Sequence, residues 1–260
     1  MKKIFNKVLI AFAAGSISLS SCTNLDETLY DRLNETNIDL SNETDLSLLL
    51  GAATAQYRYL VEDWFGMYHL LEESTDQYMV PARVGVGWGD AYINLHKHNW
   101  GPSVDQIYNP WQIAYRGIGY ANKVIDAIDP ANPSTQQSLA HARFFRAMEY
   151  ASLVSDFGDV PWFDTVIENT DLENLYKPRT PRAEVMDNVL ADLQFACQNI
   201  RTSDGVAGLH VNKAVALAYT SRIMLFEGTW QKYHGGDQAA SQKYLQLAKE
   251  AAEIVMNSGQ

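Results

Sequence analysis

Along most of this 260-residue chain the hydrophobic positions fall at helical spacing. From Asp45 onward, Leu46, Leu49, Leu50, Ala53 and Tyr57 recur at steps of three and four, which predicts a helix with one buried face. Residues 74–103 break the pattern. Pro81, Gly85, Gly87, Gly89, Gly101 and Pro102 mark a long irregular excursion, and a loop of that length in a compact domain usually carries function or is disordered. Helical spacing returns over 104–129 with Trp111, Ala114 (or Tyr115), Ile118, Ala121, Ile125 and Ile128, ending before Pro130. A further helix is predicted over 135–157, with Leu139, Phe145, Met148 and Phe157 buried and Gly158 closing it. Thr180 then reads as an N-cap, Pro181 as the first helical residue and Glu184 as an acid favoured at the positive helix end. Behind it, Val185, Val189, Leu193, Ala196 and Ile200 form one face. Asn212 opens another helix, and residues 238–256 form the last, before Asn257 and Gly259. Almost nothing alternates with period two, so the expected fold is all-α.

The last two helices form a hairpin, 212–227 and 238–256, joined by a ten-residue loop. Ala218 and Ser221 are expected opposite Ala248, Ala251 and Ala252, where small side chains allow close approach. This resembles tetratricopeptide-repeat packing, but the loop exceeds what that repeat allows, so the hairpin is read as irregular and repeat-like. A generic pair of packed helices accounts for these residues equally well.

The first residues have a different pattern. Lys2, Lys3 and Lys7 precede an apolar segment, Val8 to Leu19, that falls short of the about 20 residues needed to cross a bilayer. Its length and flanking charge are those of a secretory signal segment. It ends Leu19-Ser20-Ser21-Cys22, which resembles the lipobox of bacterial lipoproteins, whose cysteine is diacylated. The expected organisation is a signal peptide over 1–21, a lipid-anchored tether over 22–44 and a helical domain over 45–260. Loss of residues 1–21 removes three lysines and no acid, taking the net charge from −11 to −14. So acidic a chain argues against nucleic acid and against a basic membrane-binding face. Acylated Cys22 has no thiol to offer Cys197, so no disulfide is expected; Cys197 would act as a small hydrophobe on a helix face.

Candidate chemistry concentrates in the excursion. Four of the six tryptophans, Trp64, Trp88, Trp100 and Trp111, lie between residues 57 and 120. Sugars present apolar C–H faces and a rim of hydroxyls, so a sugar site needs exposed aromatic platforms beside carboxylate or guanidinium groups. Trp88, between Gly87 and Gly89, is the expected platform, with Asp76, Arg83 and Asp90 addressing hydroxyls. The competing reading has Trp88 and Trp100 folded back onto the helices and Asp76–Arg83 as a structural pair. His96 and His98 lack a third ligand at evident spacing and are read as loop histidines, so no metal is expected. Glu72 and Glu73 are adjacent and diverge on a helix, which does not make a glycosidase pair. No phosphate-loop, dinucleotide or nucleophile-elbow pattern stands in a convincing context. Neither a cofactor nor catalysis is expected.

Residues 139–163, "LAHARFFRAMEYASLVSDFGDVPWF", carry a family likeness: a helix with Ala142-Arg143-Phe144-Phe145-Arg146-Ala147, then Phe157-Gly158-Asp159-Val160-Pro161. "HNWGPSVDQIYNPWQIAYRGIGYANKVID" precedes it, and "KPRTPRAEVMDNVLADLQFA" and "HVNKAVALAYTSRIMLFEG" follow. In this order, with the lipobox, the blocks resemble the SusD-like (RagB/SusD) family of outer-membrane glycan-binding lipoproteins. The resemblance implies glycan contacts in the general region of the excursion and delivery of glycan to a SusC-like TonB-dependent transporter. It also implies that the chain is an N-terminal part of a longer protein. Within the block, Arg143, Arg146 and Glu149 stand three apart, which allows a helix-surface ion pair from Arg146 to Glu149. Gly158 and Pro161 stop the helix, and the block is read as scaffold. Asp26 and Glu27 resemble the acidic export signal of surface lipoproteins, which predicts an outer-membrane protein facing outward. A peptide-binding member of the family, a sugar-independent envelope scaffold and a glycosidase are the alternatives.

Overall fold

A computed structural model describes residues 43–62, 101, 105–168, 170–203 and 211–258. All of them fall in the compact unit Asp39–Gln260. Seven α-helices are present among them: α1 (Glu43–Glu62), α2 (Asp105–Ala127), α3 (Gln136–Phe157), α4 (Leu172–Leu175), α5 (Arg182–Asn199), α6 (Lys213–Trp230) and α7 (Gln238–Asn257). A 3-10 turn, Pro133–Thr135, leads into α3, and a π-helical turn, Gln231–Gly235, follows α6. Among the described residues extended pairing is limited to an isolated antiparallel bridge between Val160 and Thr180. None of the described helices is long and apolar enough to cross a membrane.

Sequential helices pack on one another, α1 on α2, α2 on α3, α3 on α5, α5 on α6 and α6 on α7, and α1 also reaches α3. Helix α3 is therefore central, and its composition says why. Leu139, Ala140, Ala142, Phe144, Phe145, Ala147, Met148, Tyr150, Leu153 and Val154 are buried on nearly every side of it, as expected for a helix surrounded by others. The stripe expected on α5 is buried throughout, from Val185 to Ile200. A second, smaller cluster joins Leu46 and Leu50 of α1 to Val124, Ile128, Leu139 and Ala142.

The helix ends follow local chemistry. Gly158 adopts φ +71°, where a side chain would be strained, and its N–H reaches Val154 O at 3.1 Å to close α3. The Asn212 side chain accepts from Val215 N–H at the start of α6, and the Asp237 side chain accepts from Ala240 N–H at the start of α7.

Four expectations are corrected. Thr180 does not cap α5: its Oγ1 accepts from Trp162 N–H at 3.1 Å, and the N-cap residue is Pro181. Asp159, from the far side of the loop, accepts from Arg182 N–H at 2.8 Å instead. The ten-residue hairpin loop is mostly helical, because α6 runs to Trp230 and the π turn to Gly235, which leaves Gly236 and Asp237 as the connection. Ala218 is exposed rather than at the helix crossing. Close approach occurs at Ser221, which donates to Ala248 O at 2.8 Å, and at Gly228, where a methyl group would lie 2.8 Å from Leu245 Cγ. Finally, Arg146 and Glu149 do not pair; each has a different environment, described below.

Candidate functional site

Asp76, Arg83, Trp88 and Asp90 lie outside the described residues, as do Cys22, Glu72, Glu73, His96, His98 and Trp100. The excursion that carries the four expected ligand residues is flanked in sequence by α1 and α2. These helices pack against each other and against α3. Gly117 of α2 sits where they converge, and a methyl group there would lie 2.3 Å from Glu149 Oε1 and 3.2 Å from Gln56 Cβ.

The signature residues on α3 form a buried polar lattice. Arg146 Nε and Nη2 donate to the Asp192 carboxylate at 2.7 and 3.0 Å, and Nη1 donates to Asn122 Oδ1 at 2.9 Å and Asp164 O at 3.0 Å. Arg143 Nε reaches the same carboxylate at 2.6 Å, with its guanidinium over the Phe195 ring. Asn122 donates to Phe163 O and Thr165 O, so α2, α3, α5 and the loop after α3 meet at one guanidinium. The Tyr150 hydroxyl accepts from Phe163 N–H at 2.6 Å, and Tyr115 donates to Pro161 O at 2.8 Å. Burial pushes both phenols well above their ordinary range. With its donors and acceptors committed to one another, this lattice is a scaffold that holds the loop.

A place with ligand-type chemistry among the described residues is a cleft of about 240 Å³ between α1, α3, α5 and α6. Tyr57, Tyr219 and Phe226 give it aromatic faces, and Ser155, Asp156 and Arg222 contribute polar groups. Its volume lies below the roughly 300–1,000 Å³ of common ligand pockets. Arg182 and Glu227 also line it, joined at 2.7 Å from Nη2 to Oε2, with the guanidinium 3.9 Å from the Trp230 ring centroid. Gln231 Nε2 donates to the other Glu227 oxygen at 2.8 Å. Asp156 still meets solvent, yet its partly apolar surroundings push its carboxyl up to about 7. Since Glu227 is held by Arg182 and Gln231, it is not available to work with Asp156 as an acid–base pair. Sequence reasoning passed over Arg182 and Glu227, because 45 positions separate them and no local pattern links them. Among the described residues no three potential metal-ligating side chains cluster. Cys197 is a free, half-buried thiol; Thr220 Oγ1 spends its proton on Ala216 O, which leaves the Cys197 S–H as donor across 3.3 Å to Thr220.

The chain belongs to the SusD-like family: the profile described as "Starch-binding associating with outer membrane" matches residues 25–225. SusD-like protein P2 of Formosa agariphila is 33% identical over 126 residues, 47% of this chain and 24% of that protein. The fold is shared with a SusD superfamily protein of Parabacteroides distasonis (TM-score 0.67, 21% identity, 87% of this chain and 46% of that one). It is also shared with a SusD-like carbohydrate-binding protein of Bacteroides fragilis (TM-score 0.63, 21% identity, 85% and 41%). The chain thus covers less than half the length of each of these relatives.

Proposed function

We propose that this chain is part of a lipid-anchored outer-membrane protein that binds oligosaccharide without cleaving it and passes it to a SusC-like TonB-dependent transporter. The observation that carries the reading is the family match over residues 25–225, together with a shared fold that includes a carbohydrate-binding relative. Trp88 is the platform, and Asp76, Arg83 and Asp90 are the polar contacts. Cys22 carries the lipid, and the acids after it direct the protein to the cell exterior.

Calorimetry of the mature protein against a panel of glycans tests the reading. Binding without product release is expected, weakened about tenfold in Trp88→Ala by loss of one aromatic contact. Failure to bind any glycan, or release of shorter products, overturns it. Labelling with a radioactive fatty acid is expected in the wild type and lost in Cys22→Ser. Protease shaving of intact cells is expected to remove the protein, and full protection would place it on the periplasmic side.

A further inference from the structure

Glu149 of α3 is fully buried, and neither of its carboxyl oxygens has a hydrogen-bond partner. The side-chain oxygen of Gln56, on α1, is buried and unpartnered as well. Gly117 of α2 brings the two together, since a methyl group at its position would lie 2.3 Å from Glu149 Oε1 and 3.2 Å from Gln56 Cβ. Two buried side chains with unpartnered oxygens therefore stand at one junction of three helices, and among the described residues neither carboxyl oxygen of Glu149 receives a donor.

The charged and titratable groups nearby do not resolve this. On α3, Arg146 is committed to Asp192, Asn122 and Asp164 O, and the Tyr150 hydroxyl is engaged with Phe163. On α2, the Tyr115 hydroxyl donates to Pro161 O, while Arg116 and Lys123 are exposed. On α1, Arg58 is exposed and Tyr57 borders the cleft beyond. An ionised carboxylate in such a place is strongly disfavoured, whereas the neutral acid supplies one O–H donor to a neighbouring oxygen.

We propose that a proton held on Glu149 locks α1 onto the α2–α3 pair, and that loss of this proton releases α1. Glu149 is fully buried while Gln56 of α1 is partly exposed, so displacement of α1 is the shortest way to bring water to the carboxyl. Helices α2 and α3 stay joined through Arg146 and Asn122 at 2.9 Å. Burial raises the Glu149 carboxyl well above its ordinary value of 4.5. A carboxyl raised in the folded state contributes stability that is full below its unfolded value and is lost as pH rises toward the folded one. Within that window each pH unit multiplies the opening equilibrium of α1 by about ten. Burial pushes the Asp156 carboxyl up to about 7, so part of its own ionisation falls in the same range, and the Glu149→Gln variant separates the two contributions.

Hydrogen exchange of the whole chain at pH 7 and pH 9, corrected for intrinsic exchange, tests this by comparing α1 with α5. The expected result is a fall in α1 protection relative to α5, up to about tenfold per pH unit, and an unchanged ratio in Glu149→Gln. An equal ratio at both pH values in the wild type, or a fall that persists in Glu149→Gln, overturns the proposal. Should the variant fail to fold, the wild type still decides. The carbonyl band of a protonated carboxylic acid is expected in its infrared spectrum wherever α1 is protected, fading as that protection falls with rising pH, and a spectrum without such a band while α1 is protected overturns the lock.

Discussion

Asp192 and Glu149 are equally buried, 1% and 0% exposed, and both face the centre of the helical stack. Asp192 receives two guanidiniums and shares in a lattice of four structural elements. Glu149 receives no donor among the described residues. Burial alone therefore does not decide whether a carboxyl in this fold is charged; the presence of a donor does. Asp192 joins α5 to α3 through two arginines, whereas Glu149 stands where α1, α2 and α3 converge.

The sharpest way to break this contrast is to strand Asp192. Arg146→Met should destabilise the protein by about 3–5 kcal/mol, the cost of leaving a buried charge short of its partner. Urea denaturation monitored by circular dichroism measures it, and a loss under about 1 kcal/mol would show that Arg143 suffices for Asp192. Crowding the unpartnered acid comes next. Gly117→Ala forces a methyl group against Glu149 Oε1, and overpacking of this kind costs about 1–3 kcal/mol, which the same denaturation series reads. Asp159→Ala removes the carboxylate that accepts from Arg182 N–H, with an expected loss of about 1 kcal/mol and earlier fraying of α5 in hydrogen exchange. At the small end stands the exposed pair of Lys243 and Asp187, 2.7 Å apart with both side chains half exposed or more. Lys243→Ala should change stability by less than about 0.5 kcal/mol, and less still in high salt.

The same contrast marks how far sequence reasoning reached. Helices α1, α2 and α5 show in the three-four spacing of their apolar residues, because each buries one face, while α6 shows through Asn212 at its start and α7 through Asn257 and Gly259 at its end. The central helix hides its neighbours: with apolar side chains on nearly every side, its pattern could not show which face meets α1 and which meets α5. Spacing rules for helix surfaces then placed Glu149 beside Arg146, although Arg146 turns to Asp192 and Asn122 while Glu149 turns toward Gly117. Thr180 carries the chemistry of a cap, but tertiary pairing with Val160 and Trp162 claims it, and Asp159 arrives from 23 residues away. The π turn after α6 has no periodic signature, so a helical connection read as a loop. The family was visible because its motifs are the scaffold itself. Within the expected glycan site, the mixture of aromatic, acidic and guanidinium residues is visible as composition, and no local period in the sequence encodes an arrangement for them.

Burial raises the Cys197 thiol above its ordinary range, and the S–H is already spent on Thr220. At neutral pH little of it is thiolate, the form that attacks disulfides and is oxidised first. A cysteine in this state reacts slowly with disulfides and oxidants, which disfavours mixed disulfides and cross-linked dimers through Cys197. The packing that makes Cys197 useful as a small apolar side chain also keeps it chemically silent.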